Sequence, residues 1–107
     1  MTDDQLYDDF RRAEVFLRGG RPADAAQILE PVVEAAPEST AALELLARAL
    51  FASAQLHRAE DVFRTLTDRC PDEGYAWAGL ARTLERQSRH DEAVVPRRFA
   101  AALGVAV

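Results

Sequence analysis

Apolar residues in this chain recur three and four positions apart in short runs. Leu43, Leu46, Ala47 and Leu50 form one run; after a break at "SAQLH", Ala59, Val62, Phe63 and Leu66 form the next. Steps of this size put the apolar side chains on one face of an α-helix and the polar ones on the other. The pattern predicts amphipathic helices in pairs, each pair joined by a short turn. Pro37 and Pro71 end the second helix of a pair, because the residue before a proline is pushed out of helical geometry. In the first pair the turn falls at Gly19-Gly20, and Pro22 sits near the first position of the next helix, where its missing N–H costs nothing. Thr2 and Gln5 have the spacing of a capping box. Pro31 and Pro96 fall inside predicted helices; each removes a backbone hydrogen bond and is expected to bend its helix.

The pairs repeat. Written with a period of 34, residues 6–39, 40–73 and 74–107 fall into columns: Ala13, Ala47 and Ala81; Ala25, Ala59 and Ala93; Phe16, Leu50 and Leu84; Pro37 and Pro71, each followed by an acid. Leu43 shares a column with Trp77, Leu46 with Leu80, Leu29 with Phe63, Ile28 with Val62, and Val32 with Leu66. Alanine where two helices cross lets their axes approach to the short end of the ~8–10 Å range, and the large residues a turn away fill the gaps beside it. A single hairpin cannot bury its apolar face alone, so each unit needs the next.

Trp77, Leu80, Ala81, Leu84 and Ala93, with Leu43, Leu46, Ala47, Leu50, Ala59, Phe63, Leu66 and Pro71, resemble the tetratricopeptide repeat over residues 6–107. The middle repeat matches best. The first departs at Asp9 and Arg12, which stand in place of large apolar residues, and the third at Pro96 and Arg97. The resemblance implies an all-α fold, a right-handed superhelical stack of three antiparallel helix pairs, in one domain covering 1–107. It also implies a non-catalytic scaffold that binds a protein or peptide along the groove lined by the first helix of each pair. The groove candidates are then Tyr7, Phe10, Glu14 and Leu17, Glu44, Arg48 and Phe51, and Tyr75, Ala78, Arg82, Glu85 and Arg86. Aromatic and arginine side chains are the types in which binding energy concentrates. The competing reading makes the aromatics ordinary core or rim residues, and makes Glu44–Arg48 and Arg82–Glu85 helix-surface ion pairs at i,i+4 and i,i+3. The carboxylate clamp of chaperone-binding relatives uses lysine and asparagine; the corresponding positions here hold Phe10, Glu14, Leu45, Tyr75 and Gly79, which disfavours that function.

Composition narrows the choice of partner. The chain has 107 residues and a formal charge of −5, so no general attraction to nucleic acid or an anionic membrane is expected. All 13 cationic residues are arginine, and lysine and asparagine are absent; with the abundant alanine, this reads as the bias of a GC-rich bacterial genome rather than as phosphate recognition. One cysteine excludes an internal disulfide. No apolar stretch approaches a membrane span and the acidic start lacks the features of a signal peptide, so a cytoplasmic protein is expected.

Catalytic chemistry is not legible. His57 and His90 occupy different columns without metal-ligand spacing, and "RHDEA" reads as a helix start. Cys70 has no candidate base near it in sequence, and "RGGRP" is a turn rather than a phosphate loop. No enzyme, cofactor or metal site is expected. A second functional reading comes from the tail "RRFAAALGVAV". Its apolar stripe of Val95, Phe99, Ala102 and Leu103 would suit a self-associating module, a homodimer built through the last helix. The alternative is a tail that frays or folds back.

Overall fold

A computed structural model describes residues 1–106. Six α-helices follow one another: α1 Asp3–Arg18, α2 Pro22–Ala35, α3 Thr40–Ala52, α4 Leu56–Arg69, α5 Gly74–Arg86 and α6 His90–Ala102. No strand occurs among the described residues. The starts of α2, α4 and α6 are 34 residues apart, as are those of α3 and α5, so the period seen in the apolar columns is also the period of the helices. The helices form two compact units. In the first, Met1–Gln55, α1 packs on α2 and α2 on α3; in the second, from Leu56 onward, α4 packs on α5 and α5 on α6.

The alanine columns are buried throughout: Ala13, Ala47 and Ala81, and Ala25, Ala59 and Ala93. Leu29, Leu50, Leu66, Leu80 and Leu84 are the large side chains sealed beside them. The columns at residues 63 and 79 vary in size together. Phe63 on α4 packs onto Gly79 on α5, where a Cβ would lie 2.2 Å from the ring. One period earlier both positions hold leucine, Leu29 and Leu45, and both are buried.

The turns inside the three pairs share one hydrogen-bond pattern. Residues 20, 54 and 88 adopt positive φ, Gly20 at 77°, Ala54 at 60° and Ser88 at 61°. Around them the N–H groups of Arg21, Gln55 and Arg89 donate to the carbonyls of Phe16, Leu50 and Leu84 at 2.8, 2.9 and 3.0 Å. The N–H groups of Gly20, Ala54 and Ser88 donate to Leu17, Phe51 and Glu85. These paired bonds are a Schellman closure, which satisfies the orphan carbonyls of the first helix. Only the first repeat places glycine at the left-handed position. Ala54→Gly and Ser88→Gly should therefore each stabilise the fold by about 0.5 kcal/mol: relief of about 1 kcal/mol of left-handed strain exceeds the extra chain entropy of glycine. A rise in the urea midpoint at constant m-value checks this.

The helix ends follow the sequence cues. Thr2 caps α1: the Gln5 N–H donates to Thr2 Oγ1 and the Thr2 N–H to Gln5 Oε1. α2 and α4 stop at Ala35 and Arg69, two residues before Pro37 and Pro71. α2 continues through Pro31 and α6 through Pro96. At the far end, α6 closes with Gly104 at φ 89°, the Val105 N–H donating to the Ala100 carbonyl at 2.9 Å. This reversal folds the tail back onto the start of α5: a Cβ on Gly74 would lie 2.9 Å from Leu103 Cβ and 2.7 Å from Val105 Cγ2.

Candidate functional site

The groove candidates divide between the two units. On α1, Tyr7 is 64% exposed, and Phe10, Glu14 and Leu17 are half-buried. Glu14 Oε1 accepts from Arg11 Nη1 at 3.1 Å. On α3, Arg48 is exposed between half-buried Glu44 and Phe51. In the second unit, α5 carries half-buried Tyr75 and Glu85, exposed Arg82 and Arg86, and buried Ala78. Neither expected helix-surface pair forms. Arg48 and Arg82 have no ion pair among the described residues, and Glu85 meets Arg97 of α6 instead. Ala78 is too enclosed to contact a ligand, so the exposed character of these faces rests on Tyr7, Arg48, Arg82 and Arg86.

A charged network lies in the second unit. Glu60 on α4 is buried, its carboxylate at the centre. Glu60 Oε2 accepts from Arg64 Nε at 2.9 Å, and Oε1 accepts from Arg89 Nη1 at 2.5 Å and Gln87 Nε2 at 3.1 Å. Arg89 in turn forks onto Glu92 through Nε and Nη2, at 2.7 and 2.8 Å. Burial pushes the Glu60 carboxyl up, but the hydrogen bonds from Gln87, Arg64 and Arg89, with the Arg89 charge, outweigh it and hold the group below its ordinary range. Hydrogen bonding to Glu92 and then Glu60 raises the Arg89 guanidinium further, and the Arg89 bonds lower Glu92. The network joins α4 to the turn between α5 and α6. Spacing along the chain does not reveal this network. Its signal was a carboxylate, Glu60, in a column otherwise held by Ala26 and Val94.

Beside the network, α4, α5 and α6 enclose an open cleft of about 540 Å³ lined by Arg64, Thr67, Asp68, Trp77, Leu80, Glu92, Val95 and Pro96. Trp77 is anchored by its Nε1–H, which donates to the Pro71 carbonyl at 2.8 Å. Its ring stacks on Phe99 with centroids 4.6 Å apart and 19° between planes. On the stripe singled out for self-association, Val95 is 55% exposed, Phe99 47% and Leu103 41%, and Ala102 is exposed as well. Val94, at 43%, joins them. Val95 lines the cleft and Phe99 borders it through Trp77, whereas Leu103 turns toward Gly74 at the fold-back.

His57 and His90 are exposed, and Cys70 is half-buried. Among the described residues no group of three or more His, Cys, Asp or Glu side chains is arranged to hold a metal ion. No helix among them is long and apolar enough to cross a membrane.

Tandem helical hairpins with a period of 34, small residues buried at the crossings and aromatic and arginine side chains exposed, define a helical repeat of the class that serves as a protein-interaction scaffold. A family model described as "Tetratricopeptide repeat" matches residues 16–82, and the chain belongs to that family. Solved structures of MamA share the fold. A point mutant of MamA superposes with a TM-score of 0.89 at 23% identity, covering 98% of this chain and 76% of that one. A MamA fragment from Desulfovibrio magneticus RS-1 gives 0.85 at 26% identity, covering 92% of this chain. The chain spans 55% of that fragment's length. No curated protein matches the sequence.

Proposed function

We propose that the chain is a non-catalytic scaffold that binds an extended or helical peptide along the first helices of its repeats, using Tyr7, Phe10 and Glu14 on α1, Glu44, Arg48 and Phe51 on α3, and Tyr75, Arg82 and Arg86 on α5. The observation that carries this reading is the pair Arg48 and Arg82. They stand one period apart at corresponding positions of α3 and α5, both exposed and both without an ion pair among the described residues. A guanidinium presents a planar fork of donors suited to a carboxylate, so an exposed unpaired arginine beside an aromatic selects an acidic group next to a bulky apolar anchor. The preferred ligand is a peptide with acidic residues flanking an aromatic or branched aliphatic side chain.

Selection from a displayed random-peptide library tests this. The enriched peptides should be acidic. They should bind Arg48→Glu/Arg82→Glu at least about tenfold more weakly, and Phe51→Ala more weakly too, with the molecular mass of the free protein unchanged. Enriched peptides that bind the double variant as tightly as the parent would refute the reading.

A second reading, self-association through α6, is favoured by the exposure of Val94, Val95 and Phe99 on one helix. Phe99→Glu should lower the mass of any oligomer while leaving peptide capture intact.

A further inference from the structure

One face of α4 is covered by the first helix of the next pair. Phe63 packs onto Gly79 of α5, and the Glu60 carboxylate is closed off by Gln87 and Arg89 just beyond that helix. Glu60 and Thr67, a turn to either side of Phe63, are buried with it. At α2 the matching residues Ala26 and Leu29 are buried too, and α3 packs on α2. The same columns on α6 hold Val94, Arg97 and Ala101, and no helix follows α6 among the described residues. There the burial is lost. Val94 is 43% exposed against 8% for Glu60, and Ala101 is exposed where Thr67 is buried. Both stay exposed with the tail folded back on the start of α5. Arg97 is drawn to Glu85 of α5, whereas Arg98 is exposed with no hydrogen bond or ion pair among the described residues.

The repeat shows what covers such a face. We propose that the outer face of α6 docks an amphipathic helix of a partner protein, seated as α5 is seated on α4. Against Val94 and Ala101 the docked helix presents small residues, as α3 does with Ala42 and Ala49 and α5 with Ala76 and Thr83. Against Arg98 it presents a carboxylate, which the guanidinium fork suits. Arg64, one period before Arg98, shares a cleft with Trp77, so the Trp77 position of the docked helix is the one that faces Arg98. A second copy of this chain fits poorly. Its first helix α1 has no helix before it among the described residues, but α1 sets exposed Asp8 and Arg11 in the columns of Ala76 and Gly79. In the register of Phe63 on Gly79, Arg11 would meet Arg97, like charge on like. The α6 surface is distinct from the first-helix faces of α1, α3 and α5, and helix docking on it does not depend on peptide binding there.

The probe is a peptide with the α3 sequence Thr40–Ala52 and the change Leu43→Glu, since Leu43 shares the Trp77 column. A hydrocarbon bridge between positions 44 and 48 holds it helical, because a free helix this short is marginal in water. Amide chemical-shift mapping on the isotope-labelled protein reads site and affinity together. Shifts should centre on Val94, Arg98 and Ala101 and saturate below about 1 mM. Val94→Asp should weaken binding at least about tenfold, and Arg98→Glu about fivefold. A Leu43→Arg peptide should recover binding to Arg98→Glu. Both altered side chains are exposed, so both variants should unfold thermally like the parent. Shifts centred instead on Arg48 and Arg82 overturn the proposal while supporting peptide binding on the first helices. No saturable shift overturns it without touching that reading. Shifts at Val94 and Ala101 that grow with protein concentration alone make a second copy the occupant and overturn it as well. An Arg98→Glu variant that binds both peptides as the parent does overturns the register.

Discussion

Phe63→Ala should cost about 3–5 kcal/mol, a large part of the roughly 5–15 kcal/mol that holds a domain of this size together. The ring is buried on α4 and packs onto Gly79, where even one added carbon would come within 2.2 Å of it. Removing the ring leaves a void that glycine cannot fill, and the lost contacts add to the lost transfer energy. The reverse error is also expected. Gly79→Leu forces a branched side chain into the ring and should cost about 1–3 kcal/mol, even after leucine's better helix propensity is credited. Together the two changes should compensate, because Gly79→Leu fills part of the space that Phe63→Ala empties. Leu29 and Leu45 at the same columns one period earlier are the precedent for large residues at both positions. Urea denaturation of both single variants and the double reads the coupling directly. Simple additivity of the two losses would mean that the ring and the glycine do not share one packing site.

Glu60→Ala is the second large loss, about 1.5–3 kcal/mol. It leaves Arg64, Arg89 and Gln87 without the carboxylate that gathers them. The cost falls short of that for breaking a fully buried pair because the Arg64 and Arg89 side chains are 47% and 33% exposed and can rehydrate. The same group makes stability depend on pH. Its folded-state pKa lies below the ordinary value of 4.5, so the folded protein binds fewer protons there than the unfolded chain. The stabilisation is then complete above 4.5 and is lost as pH falls below it through the lowered folded value. Glu92, lowered by Arg89, adds to the slope in the same direction. Glu60→Gln should flatten the fall in the urea midpoint between neutral pH and the acid range. An unchanged acid slope would show that Glu60 is not the group that titrates.

The exposed first-helix faces and the α4–α6 cleft differ in how far they could be read from residue order. Arg48 and Arg82 were legible because they share a column and a column is a position on a helix face. Their ion pairing was not legible: spacing allowed Arg82–Glu85, and the fold brought Arg97 to Glu85 instead. A long side chain on a helix surface has several neighbours within reach, and only the placement of the adjacent helix selects one. The same limit hid the Glu60 network, whose members come from α4 and from the turn 27 to 29 residues later.

Residue order by itself determined the six helices, the 34-residue period and the buried alanine columns, because 3.6-residue periodicity, proline stops and small-residue crossings are local or strictly repeating. It also located the turns, although glycine marks only one of the three left-handed positions; Ala54 and Ser88 adopt the same geometry with a side chain present. Tertiary structure alone decided which charged groups meet, that Phe63 takes the space left at Gly79, and that the tail folds back over Gly74. These outcomes depend on distances between helices far apart in sequence, which no pattern within a single helix records.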